Sequence, residues 1–210
     1  MSKKIRIGLI GAGYIGKLHA RIIFENPNAE LVAVSDISRY ACEDISSRYF
    51  CDVYVDYNEM LKRSDIDAVD ICLPDEFHLP AAVQAAKAKK HILLEKPIAR
   101  TAAEAKEIKK AADENGVRLM IGHVLKFDPR YVQLKDAIKN NELGQITSLY
   151  LKRINPRTTP KRLKGEASIF YYLGIHDFEW LLDYNNAKPQ RVYCQASSMI
   201  NKQLNEMDTI

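Results

Sequence analysis

The sequence predicts an α/β protein whose main part is a doubly wound parallel sheet. From residue 5 to residue 121, apolar segments with strand character alternate with amphipathic segments of helical periodicity. A turn with three glycines joins the first strand to the first helix, and the second strand leads into an acidic residue. A parallel doubly wound sheet requires this alternation, because each strand must be followed by a crossover before the next.

The glycine turn forms a GxGxxG motif in the setting that makes the motif informative. The apolar strand 5–10 precedes it, and the predicted amphipathic helix 14–25 follows it. Gly11 allows a tight turn, Gly13 lets backbone amides approach a pyrophosphate, and Gly16 lets the helix lie close against the strand. The helix N-terminus adds a favourable dipole. These features predict a dinucleotide-binding turn; the alternative is a strand, turn and helix without a ligand.

The second predicted strand, residues 30–34, indicates which dinucleotide is expected. It leads into Asp36, whose carboxylate would accept hydrogen bonds from the adenosine ribose hydroxyls and repel a 2′-phosphate. This arrangement favours NAD over NADP. Arg39 leaves NADP open, since its side chain could stack on adenine or hold a 2′-phosphate.

The remaining elements of this Rossmann domain, residues 1–122, follow in the same order. A strand over 68–73 stops at Pro74, and a helix over 78–89 carries an apolar face. Thr101 and Glu104 form a capping box at the start of the next long helix. The other predicted elements are the helices 39–49, 57–62 and 102–115 and the strands 53–55, 91–94 and 117–121.

A second, smaller domain is predicted over residues 123–210. Its predicted elements are a helix over 128–141, a strand over 146–154, a helix within 168–182 and a strand over 190–197. Two strands make a thin sheet that is marginal without further strands. We therefore expect a partial α+β domain that binds substrate and supports oligomerisation, and that lacks part of its sheet.

Composition indicates a soluble globular protein and excludes several classes of function. The 210 residues are 47% hydrophobic, and no apolar run reaches the length of a membrane span. The net charge of +4 is mild and does not indicate a nucleic-acid partner. The four cysteines show no metal-ligand spacing, so we expect reduced thiols and no metal site. We expect a cytoplasmic location and no membrane partner.

A basic segment between Lys152 and Lys164 contains six cationic side chains and no acidic one. It could bind an anionic substrate, or it could be a solvated loop, since Pro156 and Pro160 break regular structure there. The sequence favours neither interpretation.

Candidate chemical groups follow the predicted strands, where ligands bind in open α/β sheets. Together with one motif in the second domain, they make the sequence strongly resemble the glucose-fructose oxidoreductase and inositol dehydrogenase family, written Gfo/Idh/MocA. The resemblance covers essentially the whole chain. The motifs that carry it are GAGYIG at 11–16, LPDEFH at 73–78, EKP at 95–97 and GIHD at 174–177.

The resemblance implies an NAD(P)-dependent oxidoreductase of sugars, cyclitols or related polyols, with a Rossmann domain followed by an open-faced, mainly antiparallel sheet. It implies that Lys96 lies beside the nicotinamide and the substrate hydroxyl, and that a cis peptide often precedes Pro97. Family members usually associate through the open sheet, which implies a homodimer or homotetramer. The residues expected to bind the cofactor are Gly11, Gly13, Tyr14, Ile15, Gly16, Asp36, Arg39, Leu73, Pro74, His78, Glu95 and Lys96.

The resemblance also assigns chemistry to the second domain. His176 matches the family's general acid/base, and Lys96 would stabilise the developing alkoxide. The family commonly has an aspartate four residues before that histidine, and this chain has Tyr172. The Tyr172 hydroxyl could bond the substrate or take part in proton transfer; alternatively, the protein is a non-catalytic dinucleotide-binding or sensor protein.

The substrate class stays open between inositol, a simple sugar and a nucleotide-linked sugar. The arginines and prolines before the GIHD motif resemble those of members that act on nucleotide-linked amino sugars. A diphosphate would explain the basic segment. The residues expected to bind substrate are Lys96, Arg153, Arg157 and His176.

Overall fold

The computed structural model describes residues 3–155, 169–185 and 188–198. The chain divides into two compact units, Met1–Gly122 and His123–Ile210. Each unit is described separately below. Within the described residues, no helix is long and apolar enough to cross a membrane.

The first unit is built on a six-stranded sheet in which every neighbouring pair is parallel. The strand order is β3-β2-β1-β4-β5-β6, the order of a dinucleotide-binding doubly wound sheet. The predicted fold class is confirmed. The strands are β1 (Ile5–Ile10), β2 (Ala29–Ser35), β3 (Asp52–Tyr54), β4 (Ala68–Ile71), β5 (His91–Leu94) and β6 (Leu119–Ile121).

Helices cover both faces of this sheet. The helices are α1 (Tyr14–Glu25), α2 (Arg39–Tyr49), α3 (Tyr57–Leu61), α4 (His78–Lys87) and α5 (Ala102–Asn115). Central β1 shows the two-sided burial: Leu9 packs in a cluster with residues of α1 and α2, and Ile10 packs in a cluster with residues of α4 and α5. Each side chain is almost fully buried, which stabilises the fold by about 1.5–3 kcal/mol per residue.

Local sequence explains why the long helices begin and end where they do. The predicted capping box is present at α5, where the Thr101 and Glu104 side chains each accept from the other residue's backbone amide. Gly116 ends the helix in the left-handed region, at φ +68°. Ser38 caps α2 through its hydroxyl, which accepts from the Ala41 amide. These signals involve residues close in sequence, so they act before the tertiary structure forms.

In the second unit, two helices pack around Trp180. They are α6 (Pro129–Lys139) and α7 (Ile175–Asn185), and the π-helical turn Phe170–Gly174 precedes α7. Trp180 is buried between Tyr131 and Tyr184, and the Tyr184 hydroxyl donates to the Tyr131 carbonyl at 2.6 Å. Both predicted helices are therefore present.

The two strands predicted for the second unit are wrong for the residues that the structure describes. Residues 146–154 and 190–196 have irregular backbone, with a single bridge at Ser197. Tyr150 and Tyr193 are more than 80% exposed. A strand exists only as part of a hydrogen-bonded ladder, and the described residues of this unit form no ladder longer than the isolated bridge at Ser197. Apolar patterning alone is thus insufficient to make residues 146–154 and 190–196 strands in the described part of the chain.

Candidate functional site

Two glycines hold the turn between β1 and α1 in a shape that side chains would prevent. Gly11 has φ +101°, and a Cβ there would lie 2.6 Å from the Cys72 carbonyl oxygen. A Cβ at Gly16 would overlap the Gly11 carbonyl oxygen. The roles predicted for these glycines, a tight turn and a close helix-to-strand approach, agree with this geometry. Larger residues at either position must displace backbone.

Gly13 differs from the other two because it faces open space. No heavy atom lies within 4 Å of the position that a Cβ would occupy. Gly13 is the N-cap of α1, and no side chain caps this helix end. The first amides of α1 therefore have no side-chain cap, and the helix dipole favours negative charge there. The geometry fits a pyrophosphate.

Asp36 joins the end of β2 to the glycine turn. One carboxylate oxygen accepts from the Ala12 amide at 2.8 Å, and the other accepts from the Ser38 amide at 2.8 Å. Each oxygen keeps a further lone pair, so the carboxylate can also accept from ribose hydroxyls. The acid thus lies at the edge of the turn, as the sequence predicts.

Three other residues predicted to contact the dinucleotide lie on exposed helical surface. Tyr14 and Ile15 form the first turn of α1 and are 75% and 40% exposed. Arg39 begins α2 and pairs with Glu43 at 2.9 Å, from Nε to Oε1. The paired guanidinium lies at the protein surface.

The loops that follow β4 and β5 are tied together by His78. The ring lies 2.8 Å from the Pro97 carbonyl oxygen, measured from Nδ1, and 2.9 Å from the Leu73 carbonyl oxygen, measured from Nε2. His78 is 1% exposed. The sequence predicts a cofactor contact for His78, but the structure places its ring beneath the two loops. The ring thereby links Leu73 to Pro97 of the EKP turn.

Lys96 lies in the turn after β5, half-buried, with a cis peptide bond to Pro97. Burial lowers the pKa of Lys96, and the negative charges of Glu95 and Asp75 act in the opposite direction. A half-buried ammonium at the carboxyl edge of the sheet can stabilise a developing oxyanion more strongly than an exposed one.

A cluster that the sequence interpretation missed lies directly beneath this turn. His19 of α1 contacts Asp70 through Nδ1 at 2.8 Å and Glu95 through Nε2 at 3.4 Å. The Cys72 sulfur lies 3.3 Å from the same Nδ1. The sequence contained one signal for this cluster, which is Asp70 inside the apolar segment 68–73. A carboxylate in a buried strand requires a partner.

The electrostatics of this cluster depend on the protonation of His19. The hydrogen bond to Asp70, followed by those to Cys72 and Glu95, raises the pKa of His19 far above its usual value. Burial acts to raise the pKa of Glu95, but the hydrogen bond and charge of His19 hold it below its usual value. Burial raises the pKa of the Cys72 thiol to about 12. At neutral pH His19 is therefore an imidazolium, Glu95 is a carboxylate and Cys72 is a thiol.

In the second unit, the predicted acid/base lies in the first turn of α7. His176 and Tyr172 are both half-buried. Tyr172 belongs to the π-helical turn before α7, so the two residues do not follow regular α-helical spacing. Such turns often occur at functional sites. The buried Gly174 allows this packing, since a Cβ there would lie 3.0 Å from the Phe178 ring.

The structure describes one of the two arginines that are predicted to bind substrate. Arg153 forms an ion pair with Asp177, and its Nη2 lies 2.7 Å from Oδ1. This pair holds the residue that follows His176. Arg157 lies outside the described residues, as does most of the basic segment.

Comparisons with known proteins agree with this geometry. The family model described as "Oxidoreductase family, NAD-binding Rossmann fold" matches residues 5–123. Two curated relatives are 32% identical to the chain: an uncharacterized oxidoreductase, YrbE, of Bacillus subtilis (strain 168), and inositol 2-dehydrogenase of Rhizobium meliloti (strain 1021). The first match covers 100% of this chain and 62% of the relative, and the second covers 96% and 61%.

Solved structures extend the comparison to the fold. Myo-inositol 2-dehydrogenase from Lactobacillus plantarum superposes with a TM-score of 0.91 at 24% identity, over 98% of this chain and 64% of that one. The chain spans about three fifths of the length of the curated relatives named above. The GxGxxG turn, the acid after β2 and the EKP turn all lie within the segment that matches the family model. The chain therefore belongs to the Gfo/Idh/MocA oxidoreductase family, whose described domain is an NAD-binding Rossmann fold.

Proposed function

We propose that this chain provides the cofactor site and the catalytic lysine of an NAD-dependent dehydrogenase that acts on a ring hydroxyl of a cyclitol or sugar. One observation supports it above the others: a half-buried lysine, Lys96, lies at the carboxyl edge of a sheet whose glycine turn fits a pyrophosphate. Ligands bind at this edge in doubly wound sheets.

The substrate class is the finer part of the proposal. A relative that is 32% identical over 96% of the chain is named inositol 2-dehydrogenase, which favours a neutral cyclitol. A nucleotide-linked sugar requires cations for its phosphates, and Arg153 is already paired with Asp177. We therefore place inositol-type polyols first and nucleotide-linked sugars second.

The proposed reaction is the oxidation of a ring hydroxyl to a ketone, in which the substrate loses a hydride and a proton. The glycine turn and Asp36 would hold NAD, and the bound nicotinamide would supply the hydride-accepting position, C4, for the hydrogen that leaves the substrate carbon. His176 accepts the hydroxyl proton as the C–H bond breaks, so that the alcohol becomes a ketone. The Lys96 ammonium stabilises the negative charge that develops on the oxygen. Tyr172 contributes a hydroxyl near His176 in sequence, in place of the family's carboxylate.

The proposed function is tested by supplying NAD with a panel of substrates and measuring NADH formation. The panel contains inositol stereoisomers, simple sugars and nucleotide-linked sugars. We expect steady turnover with at least one inositol. The proposal would be overturned if the protein bound NADH, by fluorescence titration, yet formed none from any panel member.

NADH binding without turnover would favour the alternative function, a non-catalytic dinucleotide-binding or sensor protein. Tyr172 is the observation that favours this alternative, since a tyrosine replaces the carboxylate partner common in the family. Restoring the carboxylate with Tyr172→Asp discriminates between the two functions. A gain of turnover in that variant would show that the remaining machinery is competent.

Cofactor selectivity gives a separate prediction. We expect Asp36→Ser to weaken NADH binding by roughly 10–100-fold, because hydrogen bonds to a charged group contribute about 1.5–3 kcal/mol. NADPH binding should strengthen relative to NADH, since the repulsion of a 2′-phosphate is removed. Asp113→Ser, on the exposed surface of α5, is the matched control. An unchanged NADH-to-NADPH affinity ratio in Asp36→Ser would contradict the assignment of Asp36.

A further inference from the structure

A chain of hydrogen-bond and ion-pair contacts crosses the first unit from the centre of the sheet to the EKP turn. It begins at Asp70 of β4, passes through the His19 ring on α1 and reaches the Glu95 carboxylate after β5. The second oxygen of Glu95 accepts from the Lys96 backbone amide at 3.1 Å. The glycine-turn helix is thereby connected to the backbone of the proposed catalytic lysine.

Burial makes the charge on His19 necessary to this arrangement. The side chains of Asp70, Glu95 and His19 are only 3%, 14% and 17% exposed. Two carboxylates at such depth repel each other unless a cation lies between them. An imidazole that meets a carboxylate at each nitrogen satisfies both only when both nitrogens carry protons. His19 therefore acts as a cationic bridge.

Glu95 is held in place from the opposite side as well. A Cβ at Gly122 would lie 2.9 Å from Glu95 Oε1, so the carboxylate packs directly against the glycine backbone. The Gly122 amide donates to the Leu94 carbonyl at 2.8 Å, which fixes that backbone beside β5. With His19 on one side and Gly122 on the other, the Glu95 side chain has little freedom to leave the Lys96 amide.

We propose that His19 is a positioning residue, whose imidazolium is anchored by Asp70 and orients the Lys96 turn through Glu95. This role rests on the proposed function, since it assumes that Lys96 acts on the substrate. His19 itself is assigned no contact with the substrate. The ionisable groups that face its ring are Asp70 from β4, Cys72 immediately after β4, and Glu95 immediately after β5.

The protonation of the bridge can be measured without any substrate. In protein labelled with ¹⁵N-histidine, we expect both ring nitrogens of His19 to be protonated one to two pH units above the ordinary histidine pKa of about 6.5. Asp70→Asn should return the ring to a neutral tautomer in that range. A neutral His19 ring in the unmodified protein at that pH would overturn the proposal.

The orienting role has a second readout that is independent of activity. We expect the Lys96 amide to exchange its hydrogen faster in His19→Gln than in the unmodified protein. His91→Gln is the matched control, because His91 is an exposed histidine at the start of β5. Equal Lys96 protection in His19→Gln and the unmodified protein would overturn the orienting role, even if the proposed function proved wrong.

Kinetics then separates positioning from cofactor binding. With an inositol substrate, His19→Gln should lower kcat by up to about 100-fold, the effect of a small misplacement of a catalytic group. KM and NADH affinity should stay unchanged. Combining His19→Gln with Glu95→Gln should cost little more than the worse single change, because both act through one contact. A loss confined to NADH affinity, or fully additive losses, would overturn the proposal.

Discussion

Replacing Lys96 with methionine is expected to lower turnover by about 10³-fold, because it removes the cation that we propose stabilises the developing alkoxide. Methionine keeps much of the side-chain length and tolerates partial burial, so the fold should persist. NADH affinity should be retained, since the residues proposed to hold the dinucleotide, the glycine turn and Asp36, lie at a separate part of the sheet edge. Steady-state kinetics and fluorescence titration measure the two quantities.

The matched control for this change is Lys87→Met. Lys87 is an exposed lysine in the last turn of α4, so its replacement should alter neither turnover nor NADH affinity. If Lys96→Met retained the turnover of the control variant, Lys96 would not be a catalytic residue. If it lost NADH binding instead, the lysine would belong to the cofactor site alone.

Two glycines of the turn, Gly13 and Gly16, are expected to respond differently to the same substitution. Gly16→Ala should destabilise the protein by about 1–3 kcal/mol, because its Cβ would overlap the Gly11 carbonyl oxygen and the backbone must move. Gly13→Ala should leave the free energy of unfolding nearly unchanged, since no atom lies within 4 Å of its Cβ position. Gly13→Ala should nevertheless weaken NADH binding strongly, because the methyl group would occupy the space proposed for the pyrophosphate.

Denaturant unfolding and NADH titration of both variants give this comparison. Gly116→Ala, at the end of α5, adds a control for strain without steric overlap, since its φ is positive and its Cβ position is open. It should destabilise the protein yet leave NADH affinity intact. A Gly13→Ala variant with normal NADH affinity would show that the dinucleotide does not lie against this turn.

Local signals explain how closely the elements of the first unit were predicted. The helices α1 and α2 have the predicted bounds, and α5 has its capping box. Glycine turns, caps and strand-ending residues act over a few positions, so they can be recognised in a single chain. The strands predicted in the second unit, 146–154 and 190–197, are wrong for the described residues. A strand depends on a pairing partner that can be distant in sequence, so local signals do not establish it.

The candidate site shows the same division. Gly11, Gly16 and Asp36 could be placed from motif spacing, since the β1 turn and the end of β2 are adjacent in any doubly wound sheet. The burial of His78 beneath the loops was not predictable, because its partners are the carbonyls of Leu73 and Pro97. A carbonyl carries no side-chain identity in the sequence.

The sequence by itself determined the doubly wound sheet, the dinucleotide turn and the position of Lys96 after a strand, because periodicity and short motifs encode local conformation. Only the tertiary structure decided which charges meet. His19, Asp70 and Glu95 lie on α1, β4 and the end of β5, and parallel pairing brings them together across as many as 76 positions of the chain. Electrostatic interactions depend on distance and burial, and both are set by packing.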